Sequence, residues 1–558
     1  MIQIKKFTNI ALPVLIVGVM AGCTKLNGKL NGSLTTAQAA ASLGTAGTGY
    51  LLTAAYSDLS ALAAQDNLFS LEENATDESL VPTRGGDWDD NGVWRVVHNH
   101  TWDANHGQVL SVFNALNKIN FDATNVLGFN PTPSQAAQAR VLRALALYYL
   151  QDEYGQYPIR NPGDNLLLAP DVKTGADAIN FIISEITASL PDLPAPGDPS
   201  KINSDVANTL LMHCLLQKGT FISRAAPTFD PADMAQVVSI GSAIISSNRY
   251  KYMANYFDNF SPDNHASTEA IFLLPNTGGV STNHTGIEAR WNMTLHYNSW
   301  DKQAPNAGWN GFSTVSDFYN SFGATTATAD ANRNSSGFFT GVGAKTNKDT
   351  ILDQRLGGRI TSNLLDYQTS GIRSGFLIGQ QYNEDGSAQK DRKGNPLAFD
   401  PAIAADMKET GANLELTGIR VIKYPPDYNF YGGPCNNDQM IFRYPDVVLM
   451  VAEAKLRIDA NDASALALVN DLRSWRSAAP LPSIKLVNTA NIYDQNTILA
   501  ERGREFYWET FRRTDMQRFG VFLNTWQYKP SDDPKNLLYP IPSQALAANP
   551  NLKQNPGY

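Results

Sequence analysis

The sequence predicts a mainly α protein, a scaffold of helical repeats interrupted by a loop-rich, irregular segment with short strands. Three observations predict it. Apolar residues return at three- to four-residue steps through about 37–250 and 441–525, with Pro- or Gly-bearing turns between the runs. From about 251 to 440 that period fades into Gly, Asn, Thr and aromatic residues, and strand candidates such as GFLIG and GIRVIKY stand far apart. Near the C-terminus, QNTILAERGREFYWETFRRTDMQRFG sets carboxylates and arginines among aromatics, with Gly520 as its stop.

The chain opens with Lys5 and Lys6 before an apolar run, Ile10–Ala21, too short to span a bilayer. Residues 1–22 therefore read as a signal peptide. Met20-Ala21-Gly22-Cys23 resembles the lipobox at which a bacterial lipoprotein is cleaved and lipidated, which makes Cys23 the expected anchor. The polar stretch 23–36, with Gly28 and Gly32, reads as a flexible tether. A single domain is expected over 37–558.

Within it, helices are expected at Tyr50–Ala64, Thr101–Ile119, Ser134–Tyr154, Gly175–Leu190, Ser204–Ile222, Pro231–Ser247, Tyr444–Ile458 and Ala463–Ala478, and one more over Gln495–Gly520. The paired-helix rhythm resembles tetratricopeptide repeats without matching their consensus well. In the last helix Glu501, Glu505 and Glu509 form an i, i+4 row; Glu509 can reach Arg512 or Arg513, and Asp515 can reach Arg518. Paired charges between aromatics point to a structural clamp rather than an acid/base site. The tail 526–558, with Pro540, Pro542, Pro550 and Pro556, is expected to run extended and dock Tyr558.

Four blocks carry a family resemblance. ERGREFYWETFRRTDMQRFG is similar to a pattern near the C-terminus of the SusD/RagB family of outer-membrane lipoproteins. RALALYYLQDEYGQYPI at Arg143–Ile159, FRYPDVVLMVAEAKLR at Phe442–Arg457 and YPIPSQALAANPNLKQNPGY at Tyr539–Tyr558 resemble three further blocks, in order. The resemblance implies a SusD-like fold and capture of an oligosaccharide for delivery to a SusC-like TonB-dependent transporter, from a lipid anchor in the outer membrane facing the exterior. Thr24-Lys25-Leu26-Asn27 departs from the acidic export signal of many relatives, which leaves a periplasmic face open. Asp353 and Arg355 match a D-x-R pair of the family, expected to be a structural ion pair.

A net charge of −9 with 17% charged residues offers no basic surface for nucleic acid. Catalytic motifs are absent from the sequence, and no cofactor is expected. His98-x-His100 is the one His pair with ligand-like spacing, expected at the surface without metal; Cys214 reads as a core thiol, and Cys435 is undetermined. Aromatic residues are plentiful, with nine Trp and 22 Tyr. Several stand in loop-like sequence beside amides and carboxylates, which is what a sugar requires: an aromatic plane for its C–H face and polar forks for its hydroxyls. The expected ligand residues are Trp88, Asn91 and Trp94 from one loop and Trp291, Tyr297, Trp300 and Trp309 from another, meeting as one shallow surface. A peptide ligand, as in the RagB branch, and an anchored glycoside hydrolase using Asp87, Asp89 or Asp90 are the competing readings.

Overall fold

The computed structural model describes residues 36–299, 308–323, 353–358, 374–381, 388–430, 433–530 and 532–558. Its frame is a row of antiparallel helices, α1 (Thr36–Ser57), α2 (Gly107–Leu127), α3 (Pro133–Tyr154), α4 (Gly175–Ser189), α5 (Ser204–Ile222) and α6 (Pro231–Ser246), consecutive members from α2 onward packing side by side. After the loop-rich segment the chain returns to this row: α7 (Tyr444–Ile458) lies against α6, and α8 (Ala463–Trp475) lies against α7. Local chemistry sets the ends. Thr132 and Gln135 cap α3 reciprocally with Pro133 in its first turn, and Gly155 stops it at φ 68°, where an added Cβ would meet Leu538. Leu145, Tyr148, Tyr149 and Tyr154 of α3 are buried, as their spacing predicts, and so is Cys214, whose thiol burial pushes up.

The loop-rich segment owns little regular structure. A hairpin-like pair, β1 (Gln156–Ile159) with β2 (Asp171–Thr174), edges the helical row. Strand β3 (Ala270–Leu274) pairs antiparallel with β7 (Gln439–Arg443), which leads directly into α7. Strands β4 (Gly357–Gly358), β5 (Ser374–Leu377) and β6 (Arg420–Ile422) form a small antiparallel sheet with β5 in the centre. The segment nevertheless has its own core, in which Phe69, Trp94, Trp291, Phe312, Phe318, Phe376, Tyr424 and Tyr428 pack together, distinct from the helical core.

The charged stretch near the C-terminus is where the two cores meet, and it is two helices rather than the one expected: α9 (Ile498–Phe506) and α10 (Arg512–Arg518). Between them Trp508 and Thr510 take left-handed backbone at φ 59° and 66°. The cause is distant in sequence. Buried Glu78 accepts from the Trp508 N–H at 3.3 Å and Glu73 accepts from the Thr510 N–H at 2.6 Å, supplying these donors with side-chain acceptors where a continuous helix would have used its own carbonyls. The break sends Phe506 and Phe511 into the helical core and Tyr507 and Trp508 into the other.

The acidic row clamps both lobes. Glu501 accepts from Arg355 at 2.8 Å, Arg473 at 2.7 Å and Arg504 at 2.6 Å. Glu505 takes Arg443 at 3.0 Å and Arg476 at 2.8 Å. Arg355 is held by Asp353 at 2.8 Å, the ion pair expected from the sequence. Glu509, however, reaches neither Arg512 nor Arg513. It pairs with Arg443 at 2.7 Å and Lys423 at 2.8 Å, while Arg512 goes to Asp77 at 2.7 Å and Arg513 to Asp152 at 2.9 Å. Asp515 does meet Arg518, at 2.6 Å. Burial alone would raise Glu505, but the guanidiniums of Arg476, Arg443 and Arg355 outweigh it and hold the carboxyl down at about 2. Burial lowers Lys423 to about 8 despite Glu509.

The tail wraps back with only short helical turns, Pro534–Leu537 and Ser543–Ala548, among its described residues, and Tyr558 accepts from Trp102 Nε1 at 2.6 Å. Among the described residues no helix is long and apolar enough to cross a membrane.

Candidate functional site

The loop Gly85–Gly92 is bent by an unusual run of left-handed residues: Trp88 at φ 58°, Asp90 at 39° and Asn91 at 57°, between Gly85 and Gly92. Asn tolerates this conformation; Trp does so only when its surroundings over-determine it. They do here. Trp88 Nε1 donates to the Trp309 carbonyl at 2.7 Å, and its ring meets Trp94 and Phe312 edge-on, each at 5.4 Å between centroids. Its centroid is 6.5 Å from that of Trp309. Gly311 makes this possible, because a Cβ there would stand 2.3 Å from Trp88 Cε2.

Tyr297 joins from the other side. Its hydroxyl donates to Asp87, and the Arg392 guanidinium lies 3.9 Å from its ring centroid. Burial, then the Asp87 carboxylate, pushes the phenol up to about 12. Arg392 is steadied by Glu415 at 2.9 Å, and Glu415 also takes His296 Nε2 at 2.7 Å. His296 Nδ1 accepts from the Asn298 N–H at 3.0 Å, so the ring is the neutral Nε2–H tautomer; burial lowers it to about 4, Glu415 opposing the shift only in part. Burial would raise Glu415 itself, but the backbone N–H and guanidinium of Arg392 hold it below the ordinary carboxylate range.

The two predicted loops therefore do meet, yet not every predicted residue faces outward. Trp309 is 38% exposed, Trp88 and Tyr297 are half-buried and Asn91 is exposed. Trp94 is 5% exposed, pinned by Nε1 to Asp90 Oδ2 at 2.7 Å, and Trp291 is 0% exposed. Both are core residues: the non-periodic sequence around them hides a second core rather than a surface. Trp300 and Cys23 lie outside the described residues. Arg392 lies at the surface and the buried Gly311 and Phe312 support it from beneath, and all three were missed; the tight WNGF run carries a signal for the latter two, whereas KDRKGN carries none for Arg392.

His98 and His100, expected at the surface, are buried. His98 faces the carbonyls of Asn74, Ser79 and Gln527 at 3.1–3.2 Å, and His100 bridges Asp532 at 2.6 Å and the Ala75 carbonyl at 2.8 Å. Burial lowers both, His100 to about 4. They tie loops together.

Chemically, the patch can stack a ring face and offer fork-like polar groups. Its three aspartates are committed to structure: Asp87 to Tyr297, Asp89 to Arg95 at 3.1 Å, Asp90 to Trp94. A separate cavity of about 580 Å³ lies on the helical frame between α2 and the tail, lined by Phe113, Asn117, Phe121, Ile159 and Leu552.

The sequence profile of the SusD family matches residues 268–532. The starch-binding protein SusD of Bacteroides thetaiotaomicron is 24% identical over 521 residues, covering 88% of this chain and 85% of that one. Among solved structures, a SusD superfamily protein from Parabacteroides distasonis superimposes with a TM-score of 0.65 at 17% identity over 94% of this chain and all of that one. Surface glycan-binding protein A from Bacteroides thetaiotaomicron, in complex with laminarihexaose, gives 0.59 at 16% identity over 91% of this chain and 98% of that one. With the blocks in order, residues 268–532 match the SusD family, and the chain shares the mainly α fold of SusD superfamily structures along nearly its whole length.

Proposed function

We propose that this protein is a glycan-binding lipoprotein, held in the outer membrane through Cys23 behind a cleaved signal peptide, that captures oligosaccharide at the cell surface and passes it to a SusC-like TonB-dependent transporter without turning it over. One observation carries the reading: exposed Trp309 and half-buried Trp88 and Tyr297 share one surface with Asp87, Asn91 and Arg392, on elements distant in sequence. Sugar rings stack on such planes, and their hydroxyls take carboxylate, amide and guanidinium partners. The starch binding of the one relative and the glycan binding of the other agree with this reading.

A glycan array that includes starch oligosaccharides and laminarihexaose, followed by calorimetry on the best binder, tests it. Binding that is weakened in Trp309→Ala supports the reading, release of reducing sugar during the titration replaces it with hydrolysis, and binding of peptides but no glycan replaces the ligand class. Cys23→Ala is expected to fold normally and leave the membrane fraction; retention there contradicts the anchor.

A further inference from the structure

Away from the aromatic patch, three side chains of different chemistry converge. His284 Nε2 lies 2.6 Å from Glu288 Oε2, and Cys435 joins them so that one ligand atom from each stands within 4.8 Å of the others. Cys435 is fully buried and has no disulfide partner. The His284 side chain is 8% exposed, and its second nitrogen, Nδ1, is buried without a hydrogen-bond partner. A neutral imidazole leaves that nitrogen an unused lone pair or an unsatisfied N–H, an anomaly in a buried ring.

The loops that present these groups are fastened on both sides of the thiol. Gly279 N donates to the Pro434 carbonyl at 2.7 Å, Gly278 N to Asn436 Oδ1 at 2.8 Å, and Asn276 Nδ2 to the Asn437 carbonyl at 2.6 Å. Asn276 Oδ1 in turn accepts from Thr285 N at 2.9 Å, next to His284. Asp427, the nearby carboxylate, is already occupied by the Asn429 N–H at 3.0 Å and by the backbone and side-chain N–H groups of Asn436 at 2.9 and 2.8 Å. It does not compete for an ion.

We propose that His284, Glu288 and Cys435 form a binding site for a borderline-soft divalent cation of the Zn²⁺ type. One imidazole, one carboxylate and one thiolate are the donor types such an ion takes, with a fourth position left for water. Tetrahedral coordination sets ligand atoms roughly 3.3–3.8 Å apart, so the His284–Glu288 contact at 2.6 Å has to open slightly while the cluster, whose ligand atoms lie within 4.8 Å of one another, adjusts around the ion. The thiolate and carboxylate neutralise the ion's two charges; the Cys435 Sγ–H bond breaks as the Sγ–metal bond forms, and its proton leaves to solvent. A Cys–His nucleophile pair would use the same residues, but no substrate atom reaches a thiol that is fully buried, whereas an ion can enter past Glu288, whose side chain is 24% exposed. Bound there, the ion clips the 276–288 loop to the 433–437 loop, independently of any glycan.

The test is titration of the chelator-stripped full chain with Zn²⁺ by calorimetry and with Co²⁺ by absorption. The site predicts one Zn²⁺ per chain and a thiolate-to-cobalt charge-transfer band in the near ultraviolet. Cys435→Ala and His284→Ala should weaken Zn²⁺ by at least about tenfold, Cys435→Ala should abolish the band, and Cys214→Ala should change neither. Glu288→Gln, at the exposed edge and least able to disturb folding, should keep the band and lose affinity. Absence of stoichiometric Zn²⁺, a Co²⁺ spectrum without the thiolate band, or Zn²⁺ affinity unchanged in all three ligand variants overturns the proposal.

Discussion

The joint built on Glu501, Glu505 and Glu509 and the patch built on Trp88, Tyr297 and Trp309 use the same side-chain chemistry, aromatics interleaved with charges, to opposite ends. In the joint every charge is buried and answered: Glu505 lies under Arg443 and Arg476, and the rings of Phe506 and Tyr507 shield the pair from water. In the patch the charges stand half in solvent, with the Arg392 side chain 51% exposed, and the aromatic faces are left partly bare. Paired polar groups inside an apolar wall hold lobes together; paired ones at a surface stay within reach of solvent. Exposure, not composition, separates the two.

The comparison breaks first, and most heavily, at the joint. Glu505→Ala leaves Arg443 and Arg476 buried without their shared carboxylate and should cost about 3–5 kcal/mol of stability in denaturant melts. Trp291→Ala should cost a similar ~3–5 kcal/mol, because it empties the core of the loop-rich lobe. A melt that barely moves in either variant would place these residues outside the scaffold.

A pH series sharpens the same contrast. Glu505 titrates at about 2 in the fold against an ordinary 4.5, so its contribution is fully present above 4.5 and is lost as pH falls toward 2. Glu73 runs the other way. Burial pushes it up to about 7, so it stays protonated in the fold while the unfolded chain ionises, and its contribution declines from pH 4.5 to 7. Glu505→Gln should therefore flatten the acid limb of the melting temperature, and Glu73→Gln the fall between pH 4.5 and 7; unchanged profiles would contradict the assigned environments.

Gly311→Ala acts at the boundary. A methyl group 2.3 Å from Trp88 must displace that ring, and the displacement should cost about 1–3 kcal/mol of stability together with most of the glycan affinity. Loss of stability alone, with affinity intact, would detach Trp88 from the ligand.

How legible this was from sequence differs between the lobes. The helical row was readable because each helix announces itself over a few turns, as in Pro133–Tyr154 with its cap and terminal glycine. The break at Trp508 and Thr510 was not, since the acceptors responsible, Glu73 and Glu78, lie more than four hundred residues away. Glu509 was misassigned for the same reason: local spacing offers Arg512, but Arg443 comes from another element. Trp94 and Trp291 looked like surface rings because loop sequence carries no period, yet a lobe of irregular chain still needs a core. Trp309, beside Asn310 and Gly311, was both predicted and found exposed.

The smallest effect is the most direct test. Trp309→Ala removes an exposed ring, so its melt should stay within about 0.5 kcal/mol of the parent. Its affinity for the array-selected glycan should fall by about 1 kcal/mol, and combined with Trp88→Ala by tenfold or more. Calorimetry on the two variants beside their melting curves decides the central claim that the exposed half of this aromatic cluster binds sugar while the buried half holds the fold. Affinity lost with stability kept in Trp309→Ala is the predicted result; affinity unchanged in both the single and the double variant would contradict it.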